Sequence, residues 1–144
     1  MDNLYRDFIL EHYREPHNRG VLDPHDLQFA DSNPTCGDEM SMTLRLDEAK
    51  ERVTDVAFDG RGCAISQASA SILTDELRGL SLADLRAIDP KEVVENLGVP
   101  IGPARLKCAL LSYKVLQGAV IGALAQWPDE AQMVAGANEG GSAP

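Results

Sequence analysis

Alternating apolar residues followed by segments of helical period predict an α+β fold, a small antiparallel three-stranded sheet packed with helices on one side around a long central C-terminal helix. Three observations carry this. Met40, Met42, Leu44 and Leu46 alternate with Ser41, Thr43 and Arg45, and Thr54, Val56 and Phe58 repeat the period of two. Beyond Cys63 the pattern turns helical, with Ser66, Ser69, Ala70, Leu73 and Leu77 on one face. From Pro103 to about Gln126 the chain is apolar nearly all round, apart from a stripe of Lys107, Lys114 and Gln117, as a buried helix is.

The elements follow in order. Leu4, Tyr5, Phe8, Ile9 and Leu10 recur at helical spacing within 3–14, predicting an amphipathic first helix that ends near Pro16. Pro16, Gly20 and Pro24 mark 15–26 as a loop. A strand at 27–30 is weakly signalled, and charged 47–52 reads as the turn of a hairpin. The helix after Cys63 is expected to stop at Gly79. Ser81 to Asp84 resembles a capping box, and Asp89-Pro90 offers an N-cap with proline at the first helical position. No repeat or linker interrupts the chain, so 1–127 reads as one domain and 128–144, poor in apolar residues, as a disordered tail.

With 144 residues the chain can bury a core without disulfide braces. Three cysteines, an odd count, together with no signal segment and no apolar run of spanning length, predict a reducing cytoplasm. A formal charge of −10 argues against nucleic acid or an anionic membrane as partner.

The cysteines carry the chemistry. They stand in Cys36-Gly37-Asp38, in Gly60-Arg61-Gly62-Cys63-Ala64-Ile65-Ser66 and in Arg105-Leu106-Lys107-Cys108. Each lies beside glycine, beside a cation or near a helix start, surroundings that expose a thiol as a nucleophile or metal ligand. Helix N-termini favour an anion at Cys63 and Cys108, and Arg105 and Lys107 add positive charge. With Asp38 the cysteines make the four donors of a tetrahedral zinc or iron site. Spacings of 27 and 45 residues are unlike the close ligand pairs of zinc fingers and ferredoxins, so the fold must assemble this site. Taken singly, Cys108 also reads as a small buried hydrophobe, Asp38 as a turn residue and Lys107 as part of a solvated face. Taken together they read as a shared metal site, with Asp38 as an exchangeable oxygen ligand on an exposed loop. His12, His17 and His25 read as surface or loop-packing residues.

These motifs, with Leu4-Tyr5 and the run from His12 to Gly20, resemble the U-type iron-sulfur assembly proteins: IscU, SufU and the N-terminal domain of NifU. The resemblance covers residues 3 to 125 and rests on several separate motifs in order. It implies a solvent-accessible site made by Cys36, Asp38, Cys63 and Cys108, a zinc or iron ion in the isolated protein, and a transient 2Fe-2S cluster. It implies two partners, a pyridoxal-phosphate cysteine desulfurase that delivers sulfur and apo-proteins that receive the cluster. Two departures are instructive. IscU-type members carry histidine where this chain has Lys107, the SufU-like choice, yet the 45-residue spacing is close to the short IscU-like length. Ile101-Gly102-Pro103-Ala104-Arg105 replaces the Leu-Pro-Pro-Val-Lys segment read by a dedicated Hsp70 chaperone, which argues against that partner. Two functions stay open, a cluster scaffold and a zinc-dependent carrier whose persulfide acceptor would be Cys36.

Overall fold

The computed structural model describes residues 2–34, 37–122 and 127–128. Its first helix, α1 (Asp2–Arg14), leads through a loop to the strands β1 (Leu27–Asn33), β2 (Asp38–Leu46) and β3 (Val53–Arg61). Helices α2 (Ala64–Thr74), α3 (Leu82–Arg86) and α4 (Pro90–Glu95) follow. A 3-10 turn, Pro103–Arg105, then runs into α5 (Leu106–Ile121). The sheet is antiparallel throughout with β2 central, as the α+β reading requires. Among the described residues no helix is long and apolar enough to cross a membrane.

Register follows from the core. Met40, Met42 and Leu44 of β2 point to one face and are almost fully buried with Val56 and Phe58 of β3. Leu73 of α2 and Leu111, Val115 and Leu116 of α5 complete this core. Burying such a side chain contributes about 1.5–3 kcal/mol before entropy. An exposed ion pair such as Arg45–Asp55 contributes about 1 kcal/mol or less. A slip of one residue would turn the apolar set outward, so burial and not surface charge fixes the pairing.

The weakly signalled strand is complete. β1 pairs with β2 from Leu27↔Leu44 to Asn33↔Asp38. A Cβ on Gly118 would stand 2.2 Å from the Phe29 ring, so only glycine lets α5 lie this close to β1. Lys114 reaches across to Asp31.

Other expectations are corrected. The buried line of α1 runs through Ile9 and His12, while Leu4 and Phe8 are exposed. Helix α2 ends at Thr74 rather than Gly79; Thr74 Oγ1 bonds back to Ala70 O at 2.7 Å, and Leu77 is buried beyond the helix end. The last helix tightens to 3-10 geometry over its first three residues, which puts Cys108 in the first turn of α5. That helix stops at Gly122, whose φ of 73° suits glycine. The capping box at Ser81 and Asp84 and the Asp89 cap before Pro90 are both formed. Residues 123–126, expected to continue the helix, and 129–144 of the expected tail lie outside the described residues.

Candidate metal centre

Alternation along β2 builds the centre. Asp38, Met40, Met42 and Leu44 share the helix-covered face, so Asp38 is the polar end of an apolar stripe. Cys63 is the N-cap residue of α2, and Cys108 lies in the first turn of α5. Three elements thus bring one carboxylate and two thiols together, with ligand atoms all within 4.8 Å of one another. Two thiolates on one zinc stand about 3.8 Å apart, so small side-chain adjustments close the set. Cys36 lies outside the described residues.

The local sequence explains the approach. Asp38 Oδ1 accepts a hydrogen bond from Cys63 N at 3.2 Å, and Asp38 Oδ2 is 3.7 Å from Cys63 Sγ. Ser66 Oγ donates to Cys63 O at 3.1 Å and lies 4.0 Å from Cys63 Sγ. A Cβ on Gly62 would stand 2.5 Å from Ser66 Oγ and 2.8 Å from Asp38 Cγ. Gly62 is therefore the space in which the carboxylate meets the helix. The positive end of α2 faces this carboxylate.

The centre is less open than the sequence suggests. Asp38 is 4 % exposed and Cys108 2 %, while Cys63 is half-buried. Asp38 sits at the start of a strand, not on an exposed loop, because the core-facing alternation extends two residues before Met40. That extension is the signal a sequence reading could have used. Lys107 is half-buried, and its Nζ stands 5.4 Å from the centroid of the Trp127 ring. Lys114 Nζ lies at 5.4 Å from the same ring, so this stripe is covered rather than solvated. Arg105 is exposed at the cap of α5.

One cluster was invisible in the sequence. Gln67, Ser71 and Asp75 recur every fourth residue after Cys63 along α2 and its cap, and they bond to α1 and the loop after it. Ser71 Oγ accepts from His17 N at 2.8 Å and meets His12 Nδ1 at 2.7 Å. His17 Nδ1 donates to Asp75 Oδ2 at 2.6 Å, and Asn18 Nδ2 donates to Thr74 Oγ1 and Asp75 Oδ1, both at 2.9 Å. Burial, then the neighbouring His17, push the His12 imidazole below its ordinary range against the pull of Asp75 and Glu11. Burial opposes ionisation of Asp75, but hydrogen bonds from His17 and Asn18 outweigh it and hold the carboxyl below its usual range. His25 is exposed, with Nδ1 at 3.0 Å from Leu22 O.

A three-stranded sheet whose end, together with two helix starts, gathers an aspartate and two cysteines defines a small α+β protein with a candidate metal-binding group. Residues 4–126 match the family of NifU-like N-terminal domains, and the chain belongs to it. It is 39% identical over 138 residues to the zinc-dependent sulfurtransferase SufU of Bacillus subtilis, covering 83% of this chain and 91% of that one. It is 36% identical over 137 residues to the iron-sulfur cluster assembly scaffold protein IscU of Streptococcus pyogenes, covering 83% and 84%. The crystal structure of a nitrogen-fixing NifU-like protein (N-terminal) from Brucella abortus shares the fold, with a TM-score of 0.68 at 24% identity over 88% of this chain and 98% of that one.

The donor set fits a metal on chemical grounds. Two thiols and a carboxylate are ligands for zinc or iron, and a thiolate pair suits iron-sulfur clusters. The carboxylate is the hardest of these donors and the most readily exchanged.

Proposed function

We propose that this chain is a cytoplasmic scaffold that receives sulfur from a pyridoxal-phosphate cysteine desulfurase, holds a 2Fe-2S cluster transiently and passes it to apo-proteins. The convergence of Asp38, Cys63 and Cys108 within 4.8 Å supports this reading most directly. Cys36, two residues before Asp38 in the sequence, is proposed as the fourth ligand. Replacing one thiolate by a carboxylate weakens retention, which suits cargo that must leave. Burial of Asp38 and Cys108 shields bound sulfide from solvent, and the half-buried Cys63 leaves a side for a partner to approach.

A second reading has its own support. Lys107 beside Cys108, and the identity to a zinc-dependent sulfurtransferase, favour a zinc site that frees Cys36 to accept a persulfide. Reconstitution with desulfurase, cysteine and ferrous iron, followed by timed transfer to an apo-ferredoxin, separates the two. A scaffold develops visible cluster absorbance that declines as the ferredoxin gains it. A carrier keeps its zinc, raises desulfurase turnover and shows no cluster of its own. Protein that binds neither metal under reducing conditions would sink both readings.

A further inference from the structure

Gln67 lies one helical turn beyond Cys63 and is 3 % exposed. Its Oε1 accepts from Arg19 Nη1 at 3.4 Å. Arg19 is itself anchored, donating from Nε to Asp59 Oδ1 at 3.0 Å and from Nη2 to Gly60 O at 2.7 Å. A guanidinium can only donate, so it selects the amide oxygen and turns the amide nitrogen away. That nitrogen, Nε2, is buried and has no hydrogen-bond partner among the described residues. Leaving a buried donor unpaired costs stability that an apolar side chain of the same shape would not.

The amide sits at the Cys63 end of α2. Long side chains on a helix lean towards its N-terminus over the residue four positions earlier, here Cys63. Arg19 bonds both Gln67 and Gly60, and Gly60 precedes Cys63 by three residues. Cys63 Sγ lies 3.7 Å from Asp38 Oδ2 and 4.0 Å from Ser66 Oγ, so two of its approaches are already taken by oxygen atoms.

We propose that Gln67 Nε2 donates a hydrogen bond to the anionic sulfur delivered to Cys63, an inference that rests on the function proposed above. The acceptor is either a sulfide of the cluster or the terminal sulfur of a persulfide on Cys63 itself, distinct from the one a carrier would form on Cys36; both present a negative sulfur beside a buried donor. Hydrogen bonds to sulfur help set a cluster's reduction potential. Partners just outside the ligands change a metal site's affinity or activity by about 10–100-fold. Arg19 is the positioning residue, holding the amide with its nitrogen free to donate.

The test uses the full chain with Gln67→Met, an apolar residue of similar length, and Gln67→Glu, which presents an oxygen where the donor stood. Each is reconstituted anaerobically with ferrous iron and sodium sulfide. Gln67→Met should raise the thermal midpoint of the metal-free protein and bind zinc within about twofold of wild type. Its cluster should lose visible absorbance to a chelator about 10-fold faster, with a lower midpoint potential. Gln67→Glu should fare worse. Zinc-loaded protein treated with sodium polysulfide distinguishes the sources. Where the Cys63 thiolate takes one sulfur, the polysulfide leaves one atom shorter, and mass spectrometry of the Cys63 peptide reads the persulfide retained there, apart from any on Cys36. Loss of retention in Gln67→Met assigns the acceptor as persulfide, and loss of cluster lifetime alone assigns it as sulfide. Equal lifetime, potential and retention in wild type and Gln67→Met would overturn this inference and leave the function standing. Wild type that takes up neither form of sulfur overturns the function itself.

Discussion

The two ends of the α2 stripe are built on opposite rules. At the far end His12, His17, Asn18, Ser71, Thr74 and Asp75 bond one another, and Arg78 closes the set by donating to Asn18 Oδ1 at 2.8 Å. At the near end Asp38 and Cys63 meet at 3.2–3.7 Å, and the Gln67 amide nitrogen has no partner among the described residues. The far end is the more open of the two, with His17, Asp75 and Arg78 exposed, yet the unpaired donor lies at the near end, where Asp38 and Gln67 are buried and its cost is greater. A joint that only holds two helices together gains from pairing every polar group. A place that must accept and release an anion keeps donors and ligands uncommitted. A half-satisfied network at the near end is what the proposed cargo site calls for.

The largest effect should come from the near end. A four-ligand zinc site contributes about 10–16 kcal/mol of binding, so each ligand is worth about 3 kcal/mol, on the order of 100-fold. Cys63→Ser should weaken zinc by that amount in chelator competition while leaving the urea midpoint of the metal-free protein close to wild type. A large loss of metal-free stability with zinc affinity intact would reverse the assignment of the two ends.

At the far end the expectation is inverted. Ser71→Ala strands His12 Nδ1 and the His17 amide, which costs about 1–3 kcal/mol. Zinc affinity should not move by more than about twofold. The same joint sets a pH dependence. His12 is lowered from 6.5 in the fold, so the unfolded chain binds its proton more readily and stability falls as pH drops below 6.5. Asp75 is lowered from 3.8, so its contribution persists above 3.8 and is lost below that. Urea midpoints between pH 7.5 and 5 should therefore decline in wild type and flatten in His12→Gln. A slope that persists in that variant would place the titration elsewhere.

This contrast also marks how far the sequence could be read. Periodicity exposed β2, β3 and the helices, because burial imposes a pattern on neighbours in the chain. The Ser81 box and the Asp89 cap were legible for the same reason, since a cap is closed within a few residues. β1 was faint because its anchoring depends on Gly118 meeting Phe29, far apart in sequence. The near end was announced by ligand-type residues in combination, Cys63 beside Gly62 at a helix start and Asp38 two residues after Cys36, because no one of them taken singly points to a site. Burial of Asp38 was misread because aspartate ordinarily argues for a turn, yet here it takes the first core-facing position of a strand. The far end stayed hidden because His12 and Ser71 are 59 residues apart, and neither is unusual in its own segment.

Lys107 tests where the border between the two kinds of region runs. It neighbours Cys108, which would assign it to the near end, yet its ammonium stands over the Trp127 ring beside that of Lys114. Trp127 also packs against the core of α5, so the lysine has a structural partner that does not depend on metal. A partly exposed cation over an aromatic face is worth about 0.5–1 kcal/mol. Lys107→Met should therefore lower stability by about that much and change zinc affinity by less than about twofold. Because the chain has one tryptophan, its fluorescence reports the contact directly, and loss of the ammonium should shift the emission without any metal present. If zinc affinity instead fell about 10-fold while the emission stayed put, Lys107 would belong with Asp38 and Cys63, and the committed face of α5 would begin only at Lys114.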